Sequence, residues 1–425
     1  MKLSSLIGHV TELYSDVITS SKPADRHIDF FFRSRKYLGS NDRRFIAETM
    51  YGMLRHRKRI EWIVSVLEKH NDHRYQCATY LLYNGGATKD QLSEEINISM
   101  DELVLLEQRV QTEPAFESEI ATLAVTYSFQ DWMIAEWQKE FDPAELVPLC
   151  SVMNTQAPMT IRVNTIKTTR EECQRILLQE GLDTDRTEHS PFGLHLKRRT
   201  NLFQLQAFRD GLFEVQDEGS QLLALLVDPK PGSKVVDACA GAGGKALALA
   251  SIMKNRGEIF ALDVHSFRLE ELKKRIRRSG VDSIRTRIIR EGETQEGLVN
   301  AADNVLVDAP CSGTGTIRRN PGMKWSVTET MVEELTVKQC SILSLNAQYV
   351  KPGGKLVYAT CSLMKKENEI VVEQFLASHP EFEIIFPSIT LERYGVAHLA
   401  NNKYFQLLPH QYNTDGFFAA ILKRK

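Results

Sequence analysis

Two cysteines and one acid lie where strand-like runs of the sequence end. Residues 305–307 form a short apolar run followed by Asp308 and Cys311, and residues 355–360 form a second run followed by Cys361. A thiolate is a strong nucleophile, and open α/β sheets bind ligands at the carboxyl ends of their strands. An acid and a thiol at such an edge therefore indicate a catalytic site. Taken without its neighbours, Cys311 could equally be a buried and inert cysteine at a turn.

A glycine-rich loop that precedes both thiols indicates a place for a nucleotide-like ligand. Loop 239–245 follows a strand-like run at 234–237 and opens a helix. Glycines let the backbone approach a ligand and turn tightly into the helix, whose free amides then face that ligand. The next run ends in Asp263, which is placed to accept hydrogen bonds from both ribose hydroxyls of an adenosine cofactor. Loop and acid are also compatible with NAD, whereas a P-loop is excluded because Cys239 and Ala246 replace its Gly and Ser/Thr.

The elements that position these groups form an α/β arrangement in the second half of the chain. From residue 217 to 425, strand-like and helical segments follow one another, which is typical of a doubly wound parallel sheet. A helix is predicted from about 327 to 350, and the glycine pair 353–354 is expected to precede the next strand. Two further runs, at 382–385 and 416–422, predict a terminal antiparallel pair of strands.

The first half of the chain has two different patterns. Residues 1–145 carry apolar residues at helical spacing and predict helices nearly throughout. Residues 146–216 include a strand at 160–165 and a helix capped by Thr169, and they predict a small α+β linking module. A basic run at 55–59 is either a solvated helix face or a phosphate-facing surface.

Composition limits the protein class without identifying a partner. The 425 residues suffice for two or three domains, and the 42% hydrophobic and 25% charged content is ordinary for a globular protein. Lys and Arg number 53 against 55 for Asp and Glu, so any nucleic-acid binding must come from local patches. The 7 cysteines are scattered, with no CxxC pair and no zinc-ligand spacing, and no apolar run is long enough to span a bilayer. We expect a cytoplasmic protein without a disulfide framework, a metal or a membrane association.

The two thiols and the acid fit one demanding reaction, the methylation of carbon 5 of cytosine. Carbon 5 is a poor nucleophile, so a methyl group can be added there only after a thiolate has added to carbon 6. Asp308, bonded to ring N3 and the exocyclic amine, would make carbon 6 more electrophilic. A second thiol could assist elimination once carbon 5 has lost its proton. Because Cys311 and Cys361 end what would be adjacent strands, we expect their sulfur atoms to lie a few ångströms apart.

The motifs together resemble those of the RNA cytosine-5 methyltransferases of the Sun/Fmu type. The resemblance covers about 160–425 and rests, in chain order, on segments 216–220, 239–245, 308–315, 318–321, 358–362 and 414–418. DNA cytosine methyltransferases are less similar, because they attack with the Cys of the Pro-Cys motif and have no Thr-Cys partner. In the helical part, residues 38–55 resemble the NusB-like RNA-binding domain. This combination is similar to that of bacterial enzymes acting on small-subunit ribosomal RNA.

The resemblance implies S-adenosyl-L-methionine as cofactor, a Rossmann-like class I methyltransferase sheet and a set of site residues. Cys361 would attack carbon 6, and Cys311 would be needed for product release. Asp308 would lie beside cofactor and base, and Lys245 is a further catalytic candidate. The cofactor-binding candidates are Cys239, Ala240, Gly241, Ala242, Gly243, Gly244, Lys245, Asp263, Arg268, Glu291 and Asp308.

The sequence departs from the family pattern at three places outside the thiols. Gly241 and Ala242 stand where the family often shows Ala-Pro, a change that should keep the turn. Family members more often have Asp at the third acidic position, so the adenine contact could come from Glu291 or from Glu293. Asn413 stands where a Gly is usual.

We therefore expect an RNA cytosine-5 methyltransferase with RNA, 16S ribosomal RNA in particular, as its substrate, acting as a monomer. The alternative is a catalytically inactive RNA-binding ribosome assembly factor that retains the fold. A third possibility, a nicotinamide oxidoreductase, rests only on the glycine loop and Asp263. Transfer of labelled methyl groups to RNA separates the first two, and calorimetry with NAD against S-adenosyl-homocysteine tests the third.

Overall fold

A computed structural model describes residues 1–20, 24–400 and 402–425. The chain divides into two compact units, one of Met1–Thr155 with Ile317–Thr328 and one of Gln156–Thr316 with Glu329–Lys425. The expected three-part division, with a linking module at 146–216, stays a prediction. None of the helices in the described ranges is both long enough and apolar enough to cross a bilayer.

The first unit is helical, as the apolar spacing of its sequence predicts. In α1, for example, Ile7, Val10 and Tyr14 recur at three- and four-residue intervals and are buried in the core of this unit. The helices within its first 155 residues are α1 (Leu3–Ile18), α2 (Ala24–Ser34), α3 (Ser40–Arg55), α4 (Arg57–Val64), α5 (His73–Tyr83), α6 (Lys89–Ile96), α7 (Met100–Val110), α8 (Glu119–Thr126), α9 (Asp131–Trp137) and α10 (Pro143–Met153).

Two arginines of the basic run at 55–59 bond to other residues of this unit. Arg59 is buried, and its guanidinium donates to the backbone oxygen of Thr112 at 2.7 Å. Arg57 pairs with Glu61 at 2.8 Å, one turn further along α4. For Arg59 the interpretation as a solvated or phosphate-facing side chain is wrong, because its buried guanidinium donates to backbone oxygens of the same unit.

The segment Ile317–Thr328 belongs to this helical unit although it follows the first thiol in sequence. Its Lys324 is fully buried, donates to the backbone oxygens of Arg55 at 3.0 Å and Ser128 at 2.9 Å, and lies 3.7 Å from the centroid of the Phe129 ring. Burial, and then the charge of Arg55, lower the pKa of this lysine well below its usual value. The lysine is therefore a structural part of the helical unit.

The second unit combines two sheets with their covering helices. In chain order its elements, interrupted once by the short α16 of the first unit, are β1 (Thr160–Val163), α11 (Arg170–Gln179), β2 (Thr184–Arg186), β3 (Gly193–Leu196), α12 (Gln206–Arg209), β4 (Phe213–Val215), α13 (Glu218–Val227), β5 (Lys234–Asp237), α14 (Gly244–Ile252), β6 (Glu258–Asp263), α15 (Ser266–Ser279), β7 (Ile284–Ile288), β8 (Ala302–Asp308), α16 (Met323–Ser326), α17 (Glu329–Ala347), β9 (Val350–Thr360), α18 (Glu369–Ser378), β10 (Phe382–Ile385), α19 (Pro387–Leu391), β11 (Phe405–Leu407), α20 (Pro409–Tyr412) and β12 (Phe417–Arg424).

The smaller sheet is antiparallel, with strand order β2-β3-β1-β4. Thr169 caps α11, because its side chain accepts the backbone N–H of Glu172 at 3.2 Å, as the sequence predicts. Strand β2 was not expected, since its short segment Thr184–Arg186 is polar and largely exposed. Such a segment lacks the apolar alternation that would reveal a strand.

The larger sheet has the order β10-β12-β9-β8-β5-β6-β7, with β11 paired to β12. Strands β5 to β9 run parallel, and β12 and β10 form the predicted antiparallel pair at one edge. The expectation that glycines 353–354 precede the strand is wrong, because β9 begins at Val350 and includes them, with a shift in its register with β8 between Val350 and Lys355. Chain order reverses between β5 and β8, and this is the point at which open α/β sheets bind ligands.

Both faces of this sheet are buried, which explains the continuous apolar runs in its strands. Val235 of β5 and Leu306 of β8 lie in one core beneath α13 and α14. Their neighbours Val236 and Val305 lie in the other core with α17 and α18. Successive side chains of a strand point to opposite faces, so each run needs apolar residues at every position. The α/β, Rossmann-like fold class predicted from the sequence is confirmed.

Candidate active site

The two thiols lie side by side at the carboxyl edge of the sheet. Cys311 follows β8 and Cys361 follows β9, and the two strands are parallel neighbours. The backbone N–H of Gly315 donates to the oxygen of Cys361 at 2.9 Å and joins the two loops. The sulfur atoms are 3.4 Å apart, and both cysteines are free thiols. This confirms the predicted proximity of Cys311 and Cys361.

The surroundings of Cys311 favour its neutral thiol. The hydrogen bond to Cys361, followed by burial, raises the pKa of the Cys311 thiol well above its usual value. Cys311 therefore keeps its proton at neutral pH. Either sulfur could donate in the hydrogen bond between them.

An ion pair lies next to the thiols. Lys245, in the first turn of α14, donates to the carboxylate of Asp308, at the end of β8, at 2.6 Å. Burial disfavours the charged form of Lys245, but the charge and hydrogen bond of Asp308 outweigh it and raise the pKa of the lysine. Cys361 adds to this upward shift, so the ammonium group interacts with that sulfur as well. The geometry thus brings together all four residues named as catalytic candidates.

The glycine loop that connects β5 to α14 has the backbone that the sequence predicts. Gly241 and Gly243 adopt left-handed conformations with φ of +54° and +81°. A Cβ on Gly243 would lie 2.0 Å from the side chain of Leu272, whereas a Cβ on Gly241 would meet no atom within 4 Å. Packing against α15 therefore requires a glycine at position 243, whereas Gly241 faces open space.

Asp263, at the end of β6, holds this loop. Its carboxylate accepts the backbone N–H of Gly241 at 2.8 Å and that of His265 at 2.7 Å. The side chain is buried, so its orientation is set by these two bonds. Each carboxylate oxygen has a second lone pair, and hydrogen bonds to ribose hydroxyls are compatible with this arrangement.

Sequence reasoning did not single out Asp237, which ends β5 at the same edge. The residue is 1% exposed, and no side chain in the described ranges donates to its carboxyl oxygens. Burial first, and the charge of Asp308 second, raise the pKa of Asp237 to about 7. A buried acid without a side-chain donor fits a ligand that carries an amino group. Its position directly before the loop could have drawn attention to it.

Three peripheral candidates lie apart from this cluster. Arg268 is exposed on α15, with its guanidinium 5.9 Å from the ring centroid of Phe267. Glu291 is exposed and forms an ion pair with Lys338. Glu293 accepts the backbone N–H of Arg290 at 2.8 Å. Neither glutamate hydrogen-bonds to the glycine loop or to Asp263 among the described residues, so the choice between them stays open.

The remaining loop candidates lie between β5 and α14. Cys239 is partly buried, and burial followed by the charge of Asp237 raises the pKa of its thiol far above the ordinary range. Ala240 donates its backbone N–H to the oxygen of Leu262 at 2.9 Å, which ties the loop to β6. The loop therefore presents backbone and small side chains. No group of three or more His, Cys, Asp or Glu side chains in the described part of the chain could hold a metal ion.

Comparisons with known proteins identify the family of the chain. The family model described as "16S rRNA methyltransferase RsmB/F" matches residues 224–423, and the ferredoxin-like domain model of RsmF/B-like methyltransferases matches residues 129–202. A "Probable ribosomal RNA small subunit methyltransferase B" from Synechocystis is 32% identical, over 91% of this chain and 92% of the relative.

Solved structures show the same fold. The crystal structure of PH0851 has a TM-score of 0.78 at 27% identity and covers 99% of both chains. The crystal structure of NSun6 from Pyrococcus horikoshii with SFG has a TM-score of 0.59 at 21% identity and covers 68% of this chain and 96% of that one. The second likeness is one of fold alone.

Proposed function

Because the chain belongs to the RsmB/F family of rRNA methyltransferases and uses S-adenosyl-L-methionine as methyl donor, we propose that it methylates carbon 5 of a cytosine in 16S ribosomal RNA. Cys361 forms a transient bond to carbon 6 of the base, and Cys311 assists its release. The observation that supports this most directly is the pair of sulfur atoms 3.4 Å apart beside Asp308. An rRNA methyltransferase acting on a nitrogen or a ribose oxygen has no need of two adjacent thiols.

Cys361 is the attacking thiol that the family resemblance implies, and the surroundings of both thiols support this assignment. The hydrogen bond to Cys361 and burial raise the pKa of Cys311 well above its usual value, which makes Cys311 the less suitable nucleophile. The ammonium group of Lys245 interacts with Cys361 and stabilises negative charge on it. Attack on carbon 6 makes carbon 5 enamine-like and able to accept a methyl group.

Asp308 orients the base. Its Oδ2 is bound to Lys245, which leaves acceptor capacity on Oδ1 for the exocyclic amine of a cytosine. A carboxylate that accepts from this amine holds the ring in one orientation for addition at carbon 6. Lys245 keeps the carboxylate in place. Both residues thus act on the base while Cys361 forms the covalent bond.

The loop that connects β5 to α14 and the acid that follows β6 are the proposed cofactor site. The cofactor supplies an electrophilic methyl group. Gly241 faces open space, and the buried Asp237 suits an amino group. Asp263 suits the ribose hydroxyls, and Arg268 and Glu291 or Glu293 remain candidates for the outer part of the site.

Release requires carbon 5 to lose its proton and the sulfur to leave. The proton of carbon 5 passes to solvent, the electrons of the carbon 5–hydrogen bond restore the ring double bond, and the electrons of the carbon–sulfur bond return to Cys361. The S–H of Cys311 lies within hydrogen-bond distance of that sulfur and stabilises it as it departs. Without Cys311 the covalent intermediate should persist.

Two cysteine variants test the proposal. Cys361→Ser should abolish transfer of tritiated methyl groups from the cofactor to 16S ribosomal RNA. Cys311→Ala should accumulate a protein–RNA adduct that survives denaturing electrophoresis. Cys340→Ser is the matched control, because this thiol lies on α17 and bonds to Gln374, away from the pair.

Wild-type levels of transfer by the Cys361 variant would refute the covalent mechanism. Absence of transfer by the wild-type protein on small-subunit RNA would instead favour an assembly factor without catalysis. Bisulfite sequencing of ribosomal RNA from a deletion strain would identify the target cytosine.

A further inference from the structure

Each of the two cysteines is followed by a serine, and both serines bind the same buried carboxylate. Ser312 donates its backbone N–H to Oε1 of Glu367 at 2.8 Å and its hydroxyl to Oε2 at 2.5 Å. Ser362 donates its hydroxyl to the same Oε2. Glu367 has no exposed surface. One carboxylate thus connects the loop after β8 to the loop after β9.

A third element fixes this connection. Gln339, on α17, donates its amide to Oε1 of Glu367 at 3.0 Å and to the backbone oxygen of Pro310 at 2.9 Å. Pro310 is the residue before Cys311. The backbone is therefore bonded on both sides of Cys311, to Gln339 before it and to Glu367 after it.

Asn368, the residue after Glu367, binds the chain on both sides of Cys361. Asn368 accepts the hydroxyl of Thr360 at 2.5 Å and donates to the backbone oxygen of Ser362 at 3.0 Å. Thr360 and Ser362 flank Cys361. The dipeptide Glu367-Asn368 therefore forms hydrogen bonds to the residues on both sides of Cys361 and to Ser312, the residue after Cys311.

Hydrogen bonds hold the buried carboxylate of Glu367 in place. No Lys or Arg forms an ion pair with it among the described residues, so hydrogen-bond donors hold its position in a buried setting. Four donors meet its two oxygens, and each would lose a buried partner if the acceptor were removed. The carboxylate also helps raise the pKa of Cys311, after the hydrogen bond to Cys361 and burial.

We propose that Glu367 is a positioning residue for the two thiols, which holds the Cys311 and Cys361 loops at the separation that methyl transfer needs. It acts through Ser312 and Ser362 and touches neither RNA nor cofactor. The inference rests on the proposed function, because it concerns the thiols that are proposed to attack and to release the base.

The test is Glu367→Gln, which keeps the shape of the side chain but replaces one acceptor oxygen with a donor. We expect kcat for methyl transfer to fall by about 10- to 100-fold, the range that a small misplacement of reacting groups costs. The KM for RNA and the affinity for S-adenosyl-homocysteine should stay within about twofold, because Glu367 contacts neither.

A second readout does not depend on activity. Phenylarsine oxide bonds two neighbouring thiols with release of water, so its rate of capture reports the separation of Cys311 and Cys361. We expect this rate to fall in Glu367→Gln by about tenfold, in parallel with kcat. If that variant does not fold, Ser362→Ala removes one of the four bonds and should show both effects in smaller degree.

Glu218→Gln is the matched control. Glu218 is a buried carboxylate of the same unit that accepts the backbone N–H groups of His189 and Ser190, both at 2.6 Å, far along the chain from the thiols. It should lose stability but keep arsenical capture and kcat per folded molecule. An equal loss in both variants, or unchanged capture in Glu367→Gln, would overturn the inference.

The two proposals fail differently. A wild-type protein that captures the arsenical but methylates no RNA would refute the proposed function, while loss of capture in Glu367→Gln would still support the positioning role. A wild-type protein that methylates cytosine together with a fully active Glu367→Gln variant would refute only the positioning role.

Discussion

Replacing Asp237 with asparagine should stabilise the second unit, and the gain should grow with pH. The carboxyl group is buried at the end of β5, and burial followed by the charge of Asp308 raises its pKa from 3.8 to about 7. An unfolded chain exposes this acid to water, where it ionises at its ordinary pKa. Above pH 7 the folded protein must therefore hold a buried charge that the unfolded chain solvates freely.

The sign follows from proton linkage. Between pH 3.8 and about 7 the folded state binds this proton more tightly than the unfolded state, so the free energy of unfolding falls as pH rises. A difference of about 3 pKa units corresponds to about 4 kcal/mol, and the penalty is complete above the folded pKa. Between pH 5 and pH 8 the penalty grows by about 2.5 kcal/mol. Asparagine, which is neutral and of the same shape, removes it.

The assay must report the second unit alone. The 4 tryptophans, at positions 62, 132, 137 and 325, all lie in the first unit, so tryptophan fluorescence reports that unit. We suggest urea unfolding at pH 5, 6, 7 and 8, followed by a pulse of hydrogen exchange at one fixed pH and mass analysis of β5 and β8 peptides. The difference between Asp237→Asn and wild type should rise by about 2.5 kcal/mol from pH 5 to pH 8.

One control variant sharpens the result, and two outcomes would contradict the reasoning. Asp282→Asn makes the same change at an exposed position of the second unit, where no burial penalty exists to be removed. A pH-independent difference between Asp237→Asn and wild type would show that the carboxyl group is not held near pKa 7. A lower stability of the variant at pH 8 would show that the carboxylate has a partner that asparagine cannot replace.

Two further changes have distinct readouts. In wild type the stability of the helical unit should rise with pH up to 10.5, because the folded pKa of Lys324 lies well below that ordinary value. Lys324→Met should remove this rise, which thermal melts followed by tryptophan fluorescence at pH 7 and 9.5 measure. An unchanged dependence of stability on pH in the variant would contradict the reasoning. Gly315→Ala should lower kcat by at least about tenfold, because its Cβ would lie 2.2 Å from the oxygen of Gly416 and 2.9 Å from that of Cys361. Gly297→Ala, where no atom lies within 4 Å, is the control, and equal activity of the two would refute this reasoning.

The strands and the edge that carries the site could be predicted from the sequence because their signals are local. Continuous apolar runs mark strands that are buried on both faces: β5, β6 and β8 end in Asp237, Asp263 and Asp308, and Cys361 directly follows β9. Parallel strands share their carboxyl edge, so two thiols distant in sequence could be expected to meet. The glycines of this loop likewise predict a tight turn into α14, and Gly241 and Gly243 adopt left-handed conformations there.

Local patterns failed where a residue's role depends on what surrounds it. The strands β2 and β11 are each three residues long and carry too few positions to show a period. The basic run at 55–59 has the composition of an RNA-binding surface, yet Arg59 is buried and bonded to the backbone. A charged side chain gives the same sequence signal whether it faces solvent or a carbonyl oxygen.

The sequence alone determined which residue types stand at the carboxyl ends of the strands. They are three acids that end strands, two thiols that follow strands, and a glycine loop. Only the tertiary structure decided that Asp237 is buried without a side-chain donor and that the pKa of Cys311 is raised. It also decided that Glu367 joins both cysteine loops. The physical reason is that desolvation and hydrogen bonding act through space. They are set by neighbours such as Ser312 and Glu367, which lie 55 positions apart in the chain.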